Sequence, residues 1–203
     1  MIFKRNKTIF AVGLILAFAL VLSAVQPTWA ASIVVDTTID VIDAGGGCGA
    51  VTLETLPGPD GLTSFREAIC AVNNRTGQDT ISFDIPDTCV AGVCTILLQN
   101  PLPPLTIDHT RIDGYTQPGS AVATETSPAV ILIELDGSEL SNSHGLTIYS
   151  DSNRILGLAI KNFPWSGISL DGASAFDNQI SGNHLGVDAS GMVAEPNGQH
   201  GVE

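Results

Sequence analysis

Basic residues are scarce in this 203-residue sequence, and three of its eight lysines and arginines lie within the first seven positions. The chain carries 21 acidic residues and a net charge of −13. Without residues 1–30, five basic residues would face the same 21 acidic ones, for a net charge of −16. Binding to nucleic acid or to an anionic membrane surface requires concentrated basic residues. The composition therefore argues against both kinds of partner.

The sequence also has little helical patterning and few aromatic residues, whereas it contains 21 glycines and 11 prolines. Ile, Val, Leu and Thr recur in short runs that are broken by Gly, Asn, Asp and Ser. This is the pattern of many short strands joined by turns. The apolar content of the chain excludes disorder. We therefore predict an all-β fold.

Common catalytic and cofactor motifs are missing. The sequence has no Cys-x-x-Cys pair, no Gly-x-Ser-x-Gly elbow, no phosphate-binding loop and no dinucleotide fingerprint. Its four histidines lack a second His or Cys at ligand spacing: His109, His144, His184 and His200. The sequence thus predicts neither a metal site nor a cofactor.

The N-terminus has the three-part layout of a secretory signal. A basic stretch is followed by an apolar run from Ile9 to Val25 and by a polar exit that includes Pro27. We predict a signal peptide over residues 1–30 with cleavage between Ala30 and Ala31, and an uncleaved anchor is the alternative. The apolar run is short for a bilayer span, so the cleaved chain is expected to have no stable membrane span. The predicted location is secreted, either extracellular or at the cell surface.

Four cysteines lie in the exported part, and an even number in an oxidising compartment favours disulfides. Cys89 and Cys94 lie on either side of a glycine-containing turn, which predicts a local bridge and leaves Cys48 to pair with Cys70. Three pairings are formally open, and free or partly paired thiols are a further alternative.

One helical signature follows the signal, at residues 63–74. Ser64 and Glu67 have the spacing of a capping box, while Phe65, Ile69 and Val72 fall on one face. Arg66 lies on the same helix, where pairing with a neighbouring acid is its natural use. A short helix with one apolar stripe must cover something apolar, so we predict a cap over residues 31–78.

The rest of the mature chain, residues 79–203, contains irregular repeats. Strands are predicted near Asp79–Ile85, Thr95–Leu98, Leu105–Asp108 and Val130–Leu135, after a first strand region at Ser32–Asp43. The segments 145–148 and 167–170 share the pattern Gly-apolar-hydroxyl-apolar, and a third start appears at Gly201. The segments 153–158 and 178–183 match in the same way. Repeats too small to bury their own core indicate a solenoid, and short strands without a helix in each repeat make it a parallel β-helix.

These residues resemble a group of secreted bacterial right-handed β-helix proteins that open with a CSLREA motif, several of which are described as pectate-lyase-like or adhesin-like. The resemblance is carried by residues 63–69, 71–74, 79–83, 105–108, 113–119, 133–137 and 180–186. Thr63 stands where the family usually has Cys, which moves the implied disulfide framework toward Cys48 and Cys70. Phe65 stands where the family usually has Leu. The resemblance implies a right-handed parallel β-helix, and its longer members lead us to expect that this chain is part of a longer β-helix.

A polysaccharide lyase on such a fold needs Asp or Glu to hold a divalent cation and an Arg or Lys to take a proton. Arg154 and Lys161 are the weak candidates for that base, but no Asp trio recurs beside them at the spacing of the repeats. The scattered Asp and Asn residues favour tight turns. We therefore predict a non-catalytic extracellular or cell-surface module for contact with a glycan or a cell-surface protein. The alternative is a pectate-lyase-like enzyme, or a fragment of one, that acts on acidic glycans with calcium.

Overall fold

The computed structural model describes residues 30–86 and 89–203, so the predicted signal peptide lies almost entirely outside the described residues. The described part forms one α-helix, α1 (Phe65–Asn73), two short 3-10 helices at Cys48–Ala50 and Gly114–Thr116, and eleven short strands. The strands are β1 (Ser32–Val35), β2 (Thr80–Phe83), β3 (Cys94–Leu97), β4 (Arg111–Asp113), β5 (Ile133–Asp136), β6 (Leu146–Ile148), β7 (Arg154–Leu156), β8 (Leu158–Lys161), β9 (Ile168–Leu170), β10 (Gln179–Ser181) and β11 (His184–Leu185).

The strands form three parallel sheets. A five-stranded sheet has the order β1-β2-β4-β7-β10, a four-stranded sheet has the order β3-β5-β8-β11, and a two-stranded sheet contains β6 and β9. Single bridges extend the two-stranded sheet from Leu105 to Ile148 and from Ile168 to Val202. The consecutive strands β7, β8 and β9 each belong to a different sheet. One turn of the chain thus adds one strand to each of the three sheets, which form the walls of the solenoid. The predicted parallel β-helix solenoid is confirmed, and crossovers between parallel strands are right-handed by general rule.

The core is built from like residues stacked in register. In the five-stranded sheet successive register partners are all isoleucines, and we call them the isoleucine column: Ile33, Ile81, Ile112, Ile155 and Ile180. Branched side chains pack well on a pleated surface and alternate with residues that face away from the core. The first four members are fully or almost fully buried. Each turn of the solenoid therefore supplies apolar area that only its neighbours can cover.

Helix α1 covers the first turn, as the sequence predicts. The Ser64 hydroxyl accepts from the backbone N–H of Glu67 at 3.1 Å, and the Glu67 carboxylate accepts from the Ser64 N–H at 3.0 Å. Phe65, Ile69 and Val72 are buried in the same core as β1 and β2, and the Phe65 ring centroid lies 5.6 Å from that of Phe83. The capping box and the apolar face of the helix are thus confirmed.

Arg66 ties the cap to the solenoid, whereas one disulfide lies within the cap and the other within the solenoid. The Arg66 guanidinium donates to both carboxylate oxygens of Asp40, at 2.8 and 2.7 Å, and to two backbone carbonyls at residues 100 and 101. Cys48 is bonded to Cys70, and Cys89 is bonded to Cys94, with Cα–Cα distances of 5.1 and 4.4 Å. The structure therefore has the disulfide pairing that the sequence favours.

Two strand predictions are longer than the strands themselves. The segment predicted at 32–43 is a strand only to Val35, because the Asp36 N–H donates to the Thr63 carbonyl and the chain turns toward the cap. The segment predicted at 105–108 is a single bridge at Leu105, which follows two prolines that have no N–H to donate. Strand β4 was not predicted, because its three residues carry only one apolar side chain, Ile112.

Candidate functional site

Arg154 and Lys161, the two residues that the sequence offers as a base, lie on different walls of the solenoid. Arg154 begins β7 in the five-stranded sheet, whereas Lys161 ends β8 in the four-stranded sheet. The corner at Gly157, whose φ of 70° favours glycine, turns the chain from one wall to the other. The structure does not bring the two residues into one site.

Lys161 is enclosed by carboxylates. Its ammonium lies 2.5 Å from a carboxylate oxygen of Glu195, 3.1 Å from Glu134 and 3.9 Å from Asp136, and 10% of its side chain is exposed. Burial lowers the pKa of Lys161, but Glu195 and Glu134 outweigh burial and raise it above its ordinary value. A lysine held in this way keeps its proton, so Lys161 has a structural role and is poorly suited to be a base.

A covering segment also keeps the four-stranded wall from solvent. The residues from Val187 to Ala194 form a small antiparallel loop, and its Ala189 packs with Ala159 and Ile131 on the outside of the sheet. The Ala189 N–H donates to the Glu134 carboxylate at 2.8 Å. The wall that carries Lys161 is therefore partly closed to a ligand.

The five-stranded wall, in contrast, has an open polar groove of about 540 Å³ at the start of its strands. We call it the arginine groove, because Arg111 and Arg154 are register partners at its centre. Arg111 is paired with Asp113, whose carboxylate lies 2.6 Å from the guanidinium. Of the five basic residues in the described part of the chain, Arg154 is the one for which neither an ion pair nor a side-chain hydrogen bond is found. The groove thus presents one exposed cation in a strongly acidic chain.

The floor of the arginine groove is a rigid stack of turns. Three residues with positive φ, His109, Ser152 and Asp177, lie two positions before β4, β7 and β10. Between them and the strands, the amide of buried Asn153 accepts from the Thr110 N–H at 2.8 Å and donates to Asn178 at 3.0 Å. The sequence analysis expected Asp and Asn residues at such turns. Because every turn is bonded to the next, the backbone under Arg154 has little freedom.

Beside this floor, the structure groups three side chains that the sequence analysis did not connect. Ligand atoms of Asp108, His109 and Asp151 lie within 4.8 Å of one another, and this is the one such group in the described residues. The sequence analysis looked for His and Cys at local spacing, and so it missed partners that lie one turn of the solenoid apart. A signal was present, since Asp108 precedes Arg111 and Asp151 precedes Arg154 by the same three positions.

The chemistry of this group is limited. Asp108 already accepts a hydrogen bond from the Asp151 backbone N–H at 2.9 Å, and both Asp108 and His109 are exposed. Calcium takes six to eight oxygen ligands, whereas an imidazole and two carboxylates suit a first-row transition metal better. The group does not match the calcium site that a pectate-lyase-like reaction needs.

No helix within residues 30–86 and 89–203 is long and apolar enough to cross a bilayer. Both disulfides are consistent with an oxidising environment. Comparison of the chain with protein families, with curated proteins and with solved structures gave no match. The arginine groove and the residues around it are therefore the basis for a function.

Proposed function

We propose that this protein is an extracellular or cell-surface β-helix module that contacts a glycan or a protein through its open wall and has no catalytic site of its own. The observation that carries the proposal is the contrast between the two cationic candidates. Arg154 is exposed and has no ion-pair partner among the residues that the structure describes, whereas Lys161 is enclosed by three carboxylates.

Neither residue has the environment of a general base. Arginine is a poor proton acceptor in general, because its guanidinium group is fully protonated in proteins. Arg154 is exposed to solvent, and Lys161 is stabilised in its charged form. Both are better suited to hold an anion or a carboxylate than to abstract a proton.

The arginine groove suits binding because its parts are fixed before a ligand arrives. Arg154 lies on a strand whose neighbours and preceding turn are bonded in register, so its backbone loses little conformational entropy when a ligand binds. Guanidinium groups bind planar carboxylates and tetrahedral oxyanions such as phosphate in a bidentate manner. A ligand that carries such a group matches the groove.

The export signal predicted in the sequence and the two disulfides support an extracellular location. Small exported domains gain stability from such bridges, and reducing compartments do not maintain them. The acidic character of the chain agrees with a partner other than nucleic acid.

A pectate-lyase-like activity is the second candidate, and the observation in its favour is that two carboxylates, Asp108 and Asp151, lie with His109 beside the groove that holds Arg154, although the three side chains alone do not make a calcium site. Such an enzyme would use a bound cation and Arg154 on an acidic glycan. Incubation of the exported chain with polygalacturonate and calcium tests this, by following the ultraviolet absorbance of unsaturated ends. Calcium-dependent release that is abolished by Arg154→Ala would replace our proposal with the lyase.

The binding proposal is tested by retention of the exported chain on a glycan array and on cells. We expect retention that weakens in Arg154→Ala and largely returns in Arg154→Lys, which restores the charge. Chain that is retained by neither glycans nor cells would refute the binding module.

A further inference from the structure

A second open groove, of about 290 Å³, lies on the outer side of the two-stranded sheet. We call it the aromatic groove, because Trp165 and Tyr149 both line it. The groove also contains Thr147 and Ser169, which are register partners on β6 and β9, together with Asn142 and Asp171. Its walls thus combine two aromatic side chains with hydroxyl, amide and carboxylate groups.

Two of the few Trp and Tyr side chains in this sequence are exposed in the groove. Trp165 is 40% exposed and Tyr149 is 45% exposed, although the whole sequence contains two tryptophans and two tyrosines. Single exposed apolar residues are common on protein surfaces, but two large aromatics in one groove lined by polar groups are typical of a binding site.

Contacts with His144 and Ser143 hold Trp165 in place. The His144 ring meets the Trp165 ring edge-on, with centroids 4.9 Å apart, and the Trp165 backbone N–H donates to the Ser143 carbonyl at 3.1 Å. His144 is itself fixed, since its Nδ1 accepts from the Ser166 N–H at 3.3 Å. Its Nε2 lies 3.5 Å from the Glu203 carboxylate. The platform is therefore ordered before a ligand binds, which reduces the entropic cost of binding.

We infer that the aromatic groove binds a pyranose ring of a neutral or amino-sugar glycan, with Trp165 as the stacking platform. This inference rests on the proposed function and names the ligand class of a second contact on the same module. A pyranose has an apolar face of C–H groups and a rim of hydroxyls, which match an indole face and a set of short polar side chains. Tyr and Trp offer such contact area at low conformational cost.

The charge of the groove selects among glycans. Neither Lys nor Arg lines it, while Asp171 lines it and Glu203 lies against His144 behind it. A uronate or sulfate would be repelled by these carboxylates, whereas a hydroxyl or an ammonium group would be accepted. The volume is at the lower limit for small-molecule sites and fits a short saccharide unit. A protein partner would need a much larger contact area than this groove offers.

The chain provides its own probe for this inference. Once residues 1–30 are removed, Trp165 is the sole tryptophan of the sequence, so tryptophan fluorescence reports on the groove directly. The exported chain is titrated with neutral glucan and xylan oligosaccharides, with chitooligosaccharides and with oligogalacturonates. We expect a saturable change of emission with at least one neutral or amino-sugar series, and none with oligogalacturonates.

Variants separate the groove from the rest of the module. Trp165→Ala should weaken binding of the responding saccharide by about tenfold or more, measured by calorimetry, since a central aromatic contact is lost. Phe176→Ala removes another exposed aromatic side chain, which lies outside the groove, and should leave the affinity unchanged. Equal melting temperatures of both variants and the parent chain would exclude misfolding.

Two results would overturn the inference. One is the absence of binding to every neutral and amino-sugar series, and the other is a Trp165→Ala variant that binds as the parent chain does. If the chain is still retained on cells or on acidic glycans in either case, the proposed binding module stands and only the saccharide groove is refuted.

Discussion

Replacement of Lys161 by methionine should destabilise the solenoid more than any other change at a basic residue on its walls. Methionine keeps the length and most of the volume of the side chain but removes the charge between Glu195, Glu134 and Asp136. The most affected partner is Glu134, which is 8% exposed and would keep only the Thr95 hydroxyl and the Ala189 N–H as donors, both at 2.8 Å.

The magnitude follows from the depth of the cluster. Breaking a buried ion pair by removal of one partner costs about 3–5 kcal/mol, because the remaining charge is left without compensation. Domains of this size lose roughly 2–4 °C of melting temperature for each kcal/mol, so we expect a decrease of about 6–20 °C. The matched control is Arg154→Met, which removes an exposed and unpaired cation and should cost about 0.5 kcal/mol or less.

The dependence of this effect on pH has a definite sign. The pKa of Lys161 is raised in the folded chain, so its contribution to the free energy of unfolding is fully present below its ordinary value of 10.5. This contribution is lost as the pH rises through the higher folded value. The difference in melting temperature between the parent chain and Lys161→Met should therefore persist from pH 7 to about pH 10 and shrink only above that range.

Thermal melts followed by circular dichroism at pH 7, 9 and 11 measure both effects. A Lys161→Met variant that melts within 2 °C of Arg154→Met at pH 7 would refute the ion-cluster argument. So would a deficit that grows between pH 9 and pH 11.

Further predictions concern the cap. Ile69→Asp places an unpaired charge in the core beneath the helix, and we expect a loss of several kcal/mol with aggregation in light scattering, whereas parent-like solubility would show that the helix is not a cap. Ser64→Ala removes the N-cap acceptor and should cost about 1 kcal/mol in urea unfolding, and no measurable cost would contradict the capping box. Joint replacement of Cys48 and Cys70 by serine should cost about 2–4 kcal/mol, and a mutant equal in stability to the parent would show that the bridge adds nothing.

Local signals allowed the cap and the disulfides to be predicted. The capping box needs two residues at fixed spacing, and a short turn between Cys89 and Cys94 leaves one natural pairing for the others. Both kinds of signal lie within a few residues of each other, or depend on simple elimination. The structure confirms both the capping box and the disulfide pairing.

Repeats that are similar in sequence could also be predicted from local signals. The starts at Gly145, Gly167 and Gly201 are indeed stacked, since Leu146 pairs with Ile168 and Ile168 with Val202. Strand β4 could not be found in this way, because the turn that separates Thr110 from Asn153 spans 43 residues while the next, from Asn153 to Asn178, spans 25. A periodic search fails when successive turns differ so much in length.

The candidate site was less accessible to sequence analysis because its members come from different turns. Arg154 was singled out, but its stacking on Arg111 and the grouping of Asp108 with Asp151 depend on register between strands. Trp165 and Tyr149 were not considered at all, since isolated aromatics carry no motif. The raised pKa of Lys161 likewise depends on Glu195, which directly follows the covering segment and is far from Lys161 in the sequence.

The unequal turns have a consequence for how this chain can be altered. Within the solenoid a long connection at residues 114–132 leaves the five-stranded sheet after β4 and enters the four-stranded sheet at β5, and its segment 121–128 is entirely exposed. The Gln117 side chain anchors its base by accepting from the Ile85 N–H and donating to the Ile85 carbonyl, both at 2.9 Å. The isoleucine column continues past this connection without a break in register. Because the walls depend only on the strands, foreign peptide can be displayed between residues 122 and 127 without disturbing the stacking, provided that the Ala121–Val130 bridge is kept.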